Sequence, residues 1–241
     1  MGRKKVLITG AAGRIGQVVR AGLKQRYDLH LLYRRTVLPA AEGEKVFIGD
    51  INDAEVLEEA VEGTDAIVHM AGDPRVEAPW EAVLEANIKG VYCLYEVARK
   101  KGARRVIFAS TNHVSGFYEQ EGVYTTPEMQ ERPDSFYGAS KAFGEDLGRY
   151  YVDQFGLEVI CLRIGSFQPD EAVVQRSSDR ILSTWLSHRD CVQLVWRGIE
   201  AEAVKYGIFY GISGNTRAYW DIQSARELLG YEPEDDAEKY A

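Results

Sequence analysis

Tyr137 and Lys141 stand at the two ends of Tyr137-Gly138-Ala139-Ser140-Lys141, a spacing that puts a phenol and an ammonium on one face of a helix. A phenol with the ordinary pKa of about 10 is a poor base at neutral pH. A neighbouring positive charge favours its ionised form, so the pair is suited to taking a proton from a hydroxyl. Upstream, Ala109-Ser110-Thr111-Asn112-His113 ends a β-branched run with hydroxyl, amide and imidazole groups. One of these hydroxyls is expected to hydrogen-bond the reacting oxygen and hold it against the base. Asn87, in Ala86-Asn87-Ile88-Lys89-Gly90, is a mid-helix amide able to bond main chain or a water leading to Lys141.

A second cluster lies at the start of the chain. Val6-Leu7-Ile8-Thr9-Gly10-Ala11-Ala12-Gly13-Arg14-Ile15-Gly16 reads as a strand running into a glycine-rich turn that opens a helix. Gly10, Gly13 and Gly16 let backbone approach a pyrophosphate, and the turn Gly13-Arg14-Ile15 presents free helix-terminal N–H groups to it. The Gly-x-x-Gly-x-x-Gly spacing with a Thr-Gly lead-in narrows the ligand to a nicotinamide dinucleotide of dehydrogenase type. At the end of the second strand an acid would bond the ribose hydroxyls of NAD and repel the extra phosphate of NADP. Tyr33-Arg34-Arg35 stands there instead, and guanidinium groups suit a phosphate, so NADP is expected over NAD through Arg34 and Arg35. Asp50 and Ile51 are placed for the adenine edge, and Met70, Ala71 and Gly72 form a small bend beside the ribose. Lys141 can hold the nicotinamide ribose, with Tyr137, Asn87 and Ile164 on the cofactor side of the same crevice.

The elements that must position these groups alternate. Short apolar runs at Val6–Thr9, Leu29–Tyr33, Val46–Ile48, Ala66–Met70, Val106–Ala109, Val159–Ile164 and Ile208–Tyr210 read as strands. Segments of helical period fall between them, at Ile15–Arg26, Ala54–Val61, Glu81–Lys100, Phe136–Phe155 and Asp190–Glu202, with a last one near Ile222–Leu229. Asp53 is a candidate N-cap, and Gly63 and Gly102 are candidate stops. This is the pattern of an α/β fold with a doubly wound parallel sheet of about seven strands, expected over 1–241 as one domain, with 165–241 supplying most of a small substrate-side extension. Ligands of such sheets bind at the carboxyl ends of the strands, where the topology reverses.

With 241 residues, 45% hydrophobic and 27% charged, the chain is long enough for one sizeable core. Its net charge of −8 gives no electrostatic reason to expect nucleic acid or an anionic membrane. The apolar run after Lys5 is too short for a signal peptide, and no stretch approaches a membrane span, so a cytoplasmic location is expected. Cys93, Cys161 and Cys191 are widely separated, which argues for reduced thiols and no metal.

Together the motifs resemble the extended short-chain dehydrogenase/reductase superfamily, with its Rossmann sheet, over essentially the whole chain, and within it the uronate dehydrogenases. The likeness rests on Phe108-Ala109-Ser110-Thr111-Asn112-His113, Tyr137-Gly138-Ala139-Ser140-Lys141, Arg163-Ile164-Gly165-Ser166 and Ser183-Thr184-Trp185-Leu186-Ser187-His188. It implies oxidation of the anomeric carbon of a cyclic hexuronic acid to an aldaro-lactone, with NAD as acceptor. It places the catalytic hydroxyl at Thr111, substrate contacts at Asn112 and His113, and contacts to sugar and carboxylate at Ser166 and Arg180. A planar guanidinium at Arg180 matches two oxygens of a carboxylate, and would match a phosphate too. The expected substrate is therefore a sugar acid, with a sugar phosphate, as in the related glucose 6-phosphate dehydrogenases, as the alternative. The chain departs from the family at Tyr33-Arg34-Arg35, where the family has an acid, and in Gly72-Asp73-Pro74-Arg75-Val76-Glu77, which carries an extra residue. A nucleotide-sugar epimerase or dehydratase is a rival reading, opposed by the short stretch after Ile164. A non-catalytic NADP(H)-binding sensor is another, opposed by the retained Tyr137 and Lys141. A homo-oligomer is expected by analogy, through the amphipathic stretches Glu81–Lys100 and Phe136–Phe155.

Overall fold

In a computed structural model, which describes residues 2–169 and 178–241, each buried β-branched run becomes a strand. These are β1 (Lys5–Thr9), β2 (Asp28–Tyr33), β3 (Glu44–Ile48), β4 (Ala66–His69), β5 (Arg105–Thr111), β6 (Glu158–Ile164) and, after two short strands, β9 (Tyr206–Gly211). They form one seven-stranded sheet in the order β3-β2-β1-β4-β5-β6-β9, every pair parallel. The expected doubly wound sheet is borne out. Successive side chains of β1 go to opposite faces: Val6 and Ile8 join one core with Val19, Leu23, Leu194 and Val195, and Leu7 joins the other with Leu57, Leu94, Phe108 and Tyr151.

Helices cover both faces. α1 (Arg14–Leu23) and α8 (His188–Glu200) supply the first core, while α2 (Ala54–Val61), α4 (Gly90–Lys101) and α6 (Phe136–Phe155) supply the second. Caps fix where they start. Asp53 accepts from Val56 N at 3.4 Å, Ser135 from Gly138 N at 3.1 Å and Ser187 from Asp190 N at 3.0 Å. Gly102 ends α4 in the left-handed conformation.

The structure departs from the sequence reading in two places. The single helix expected over Glu81–Lys100 is α3 (Trp80–Val83), a π-helical segment (Leu84–Lys89) and then α4, because Asn87 turns its amide away from the helix to bond a neighbouring loop. The helix expected near Ile222–Leu229 is a π-helical turn over Ala225–Leu229. Within 165–241, α8 and β9 complete the main layer, and the part that stands over the carboxyl rim is built from β7 (Ser166–Phe167), α7 (Asp179–Thr184) and β8 (Trp185–Leu186). None of the helices among the described residues is long and apolar enough to cross a membrane.

At the opposite, amino-terminal edge, buried Arg105 closes the fold. Its guanidinium donates to Gly198 O, Ile199 O and Val204 O at 2.8, 3.1 and 2.9 Å, satisfying carbonyls at the end of α8, and to Glu158 at 2.6 Å. Removing it strands those carbonyls and takes the buried partner from Glu158, which keeps only the more exposed Lys205 and Arg104. Arg105→Ala is expected to lower the free energy of unfolding by about 3 kcal/mol or more in urea titration, with dinucleotide affinity unchanged; a loss below about 1 kcal/mol would contradict this role.

Candidate active site

The rim between β1 and β4 is where the strand order reverses, and a cavity of about 850 Å³ opens there. Its floor is the turn between β1 and α1. Gly10 has φ +66°, and a Cβ on it would come within 2.8 Å of Ala71 N. A Cβ on Gly16 would meet Gly10 O at 2.3 Å. Backbone alone therefore fills this corner, and the N-terminus of α1 has no side-chain cap, so its N–H groups are open to an anion. Together they fit a pyrophosphate. Arg14 turns across the mouth, donating to Phe167 O at 3.0 Å and to Gln168 Oε1 at 3.2 Å.

At the end of β2 the structure separates what the sequence presents as one run. Tyr33 is buried, its hydroxyl accepting from Arg20 Nη1 at 3.1 Å, while Arg20 is held by Glu44. Arg34 and Arg35 are exposed and line the cavity. Ile51 lines it too, whereas Asp50 stands beside it, 3.7 Å from Arg34. After β4, Met70, Ala71 and Gly72 form the cavity wall. Thr9 Oγ1 accepts from Ala71 N at 3.2 Å, leaving its proton for His69 Nδ1 at 2.7 Å. Burial holds that imidazole neutral, with its pKa down to about 3. Thr9, which the sequence offers only as the lead-in to the glycine turn, is thus tied to His69, a strand-end histidine that carries no spacing signal and that motif reading passed over.

Asn87 does not line the cavity. It is buried, accepts from Asp73 N at 2.7 Å and donates to Ser140 Oγ at 3.0 Å, so it ties the loop after β4 to α6.

Tyr137 and Lys141 both line the cavity from the first turns of α6. Lys141 is buried, donates to Ala109 O at 2.8 Å, and lies 4.9 Å from the centre of the Phe108 ring and 5.9 Å from that of Tyr137. Burial drives its pKa down to about 8, against the pull of Glu145 one turn on. The phenol of Tyr137 is pushed above its ordinary value by burial, and a hydrogen bond with Thr111 opposes that rise. In the chain alone, then, desolvation outweighs the lowering expected of Lys141. Beneath them Glu145 accepts from Ser110 Oγ at 2.5 Å and from Arg163 Nη2 at 2.7 Å, a fully buried pair anchoring β5, β6 and α6 to one another.

Thr111, Asn112 and His113 continue the wall, and His113 Nδ1 lies 2.9 Å from Asp134 with its ring edge-on to Tyr137. Ser166 and Arg180 line the far side, joined by a 2.9 Å bond from Arg180 Nη1 to Ser166 Oγ. Ile164 lines the cavity between the two walls.

A Rossmann-like sheet with a phosphate-accepting turn and a Tyr/Lys pair facing the cavity at its switch point defines a dinucleotide-binding redox enzyme. Residues 6–204 match the model of the NAD dependent epimerase/dehydratase family, and the chain belongs to it. It is 40% identical over 238 residues to a uronate dehydrogenase of Pseudomonas syringae pv. tomato, covering 98% of this chain and 84% of that one. It is 38% identical to an NAD-dependent glucose-6-phosphate dehydrogenase of Haloferax volcanii, covering 98% and 95%. Among solved structures it resembles a mutant uronate dehydrogenase from Agrobacterium tumefaciens complexed with NAD, at a TM-score of 0.90 and 39% identity, covering 99% of this chain and 88% of that one. The resemblance read from the motifs is borne out.

The depressed lysine has a measurable consequence. Between pH 8 and 10.5 the native chain has released the Lys141 proton while the unfolded chain keeps it, so stability rises with pH across that window. Below it the buried charge costs about 3 kcal/mol. Lys141→Met is thus expected to be more stable than wild type at pH 7, with the difference shrinking by about 1.4 kcal/mol per pH unit above pH 8; a difference independent of pH in urea titrations would contradict the burial of a charged lysine.

Proposed function

We propose that the chain oxidises the anomeric hydroxyl of a hexuronic acid to the corresponding aldaro-lactone. The observation that carries this reading is that Tyr137, Thr111 and Arg180 face one cavity, so that a proton acceptor, an oxygen-holding hydroxyl and a carboxylate-binding fork can engage one sugar. Both the uronate dehydrogenase relative and the solved uronate dehydrogenase support it. Thr111 holds the C1 oxygen, Tyr137 takes its proton, and Lys141 favours the ionised phenol. Asn112, His113 and Ser166 bond ring hydroxyls, and Arg180 orients the carboxylate. A bound nicotinamide supplies the hydride acceptor.

The cofactor is NAD or NADP, and we favour NADP. Its support is the end of β2, where the Tyr33 hydroxyl is turned onto Arg20 and Arg34 and Arg35 are the charged groups that line the crevice. The protein works in the cytoplasm, in keeping with its free thiols Cys93, Cys161 and Cys191. It pairs with a second copy through α4 and α6, whose half-exposed aromatic side chains Tyr92, Tyr150 and Phe155 support the reading.

Initial rates of nicotinamide reduction with glucuronate, galacturonate and glucose 6-phosphate, each with NAD and NADP, test this directly. Uronates are expected to be oxidised fastest, and absence of reduction with every pair would overturn the reading. Tyr137→Phe is expected to lower kcat about 10²- to 10⁴-fold. Replacing Arg34 and Arg35 together by serine is expected to raise KM for NADP about tenfold and leave that for NAD nearly unchanged; an equal effect on both cofactors would count against the NADP assignment.

A further inference from the structure

Arg180 does not enter the crevice as a bare cation. Its Nε and Nη2 donate to the two carboxylate oxygens of Glu119 at 2.5 and 3.2 Å, and its Nη1 donates to Ser166 Oγ at 2.9 Å. A guanidinium carries five N–H donors, so two are left for a substrate.

Glu119 comes from α5 (Gly116–Gln120), a short helix that no motif marks. It stands behind Arg180: its side chain is 18% exposed against 44% for the arginine, and it does not line the cavity. Other elements fix it there. Tyr219 donates its hydroxyl to Oε1 at 2.9 Å, and Asn112 Nδ2 lies 3.5 Å from Oε2. The arginine is braced in turn through Ser166, whose hydroxyl lies 2.8 Å from that of Thr184, itself bonded to Arg180 O at 2.7 Å.

We infer that Glu119 is a positioning residue that aims Arg180 over the crevice and cancels part of its charge, so that the site selects a monoanionic sugar carboxylate over a dianionic sugar phosphate. This rests on the uronate reading and deepens it. The cost of drying an anion grows with the square of its charge, while its attraction to a fixed site grows only in proportion to that charge. A bare arginine beside the hydroxyl-lined wall would favour the dianion. With a carboxylate bound to its back, the same arginine gives each negative charge less attraction, and the more strongly hydrated dianion loses most.

The test uses the full-length protein with its cofactor, and reads KM and kcat for glucuronate together with the inhibition constant of glucose 6-phosphate as a competitor. E119Q keeps the shape and an acceptor for Arg180 but removes the charge. It is expected to tighten glucose 6-phosphate about tenfold and glucuronate only about threefold, with kcat for glucuronate within about twofold of wild type. E119D keeps the charge and is expected to retain the wild-type ratio of the two constants. Equal changes for both anions in E119Q, or an unchanged ratio, would overturn the inference. Wild type itself gives a check that needs no variant. A neutralised arginine makes kcat/KM for glucuronate only weakly dependent on salt between about 20 and 200 mM, and a steep fall over that range would also overturn it. An unchanged ratio of the two constants in an E119Q that still turns over glucuronate would remove this inference alone, whereas wild type inactive on every uronate would remove the uronate reading and this with it.

Discussion

Lys141 is a primary ammonium in a dry place, donating to Ala109 O, with Phe108 on one side and Tyr137 on another. Left to itself such a group would move to water or give up its proton. It stays because α6 cannot shift: Ser135 caps its start, Asn87 reaches its second turn through Ser140, and the buried Glu145–Arg163 pair ties its third turn to β6. Glu145 lies one turn from Lys141 and keeps the lysine pKa from falling further. The stiffness of this corner is therefore set by the chemistry it must support. In the proposed reaction, the same lysine, a buried charge close to neutral titration, favours the phenolate once a ligand fills the crevice.

The rest of the site follows from where parallel strands end. Every strand of the main sheet points its carboxyl end at one rim, so Thr9, Tyr33, His69, Thr111 and Ile164 arrive there together although they span more than half the chain. The glycine corner at Gly10 and Gly16 leaves backbone as the only filling on the phosphate side. On the sugar side the small β7–β8 sheet, absent from the main layer, carries Ser166 and braces α7 with its Arg180.

Much of this was legible in the sequence, for a physical reason. Strands buried on both faces are written as short apolar runs, and the phosphate turn and Tyr137/Lys141 pair depend on local spacing, which a linear reading captures. What escaped depends on long-range contact. Glu119 meets Arg180 and Tyr219 across 61 and 100 residues, and nothing near position 119 announces either partner. The Tyr33-Arg34-Arg35 run looked like one unit because nothing in it shows that Arg20, on the preceding helix α1, claims the Tyr33 hydroxyl. The π-helical segment at Leu84–Lys89 preserves the apolar period on both sides of it, so only the bond from Asp73 N to Asn87 reveals the irregularity. The family's description names epimerases and dehydratases, and fold alone does not separate them from a dehydrogenase.

Following one carbon separates them. Glucuronate labelled with carbon-13 at C1, incubated with the protein and an excess of oxidised cofactor, can be watched by NMR. Oxidation at the anomeric centre moves the label from the hemiacetal region to that of a lactone carbonyl, in step with cofactor reduction. A label that stays a hemiacetal while C4 inverts, or that does not change at all, would contradict oxidation at C1.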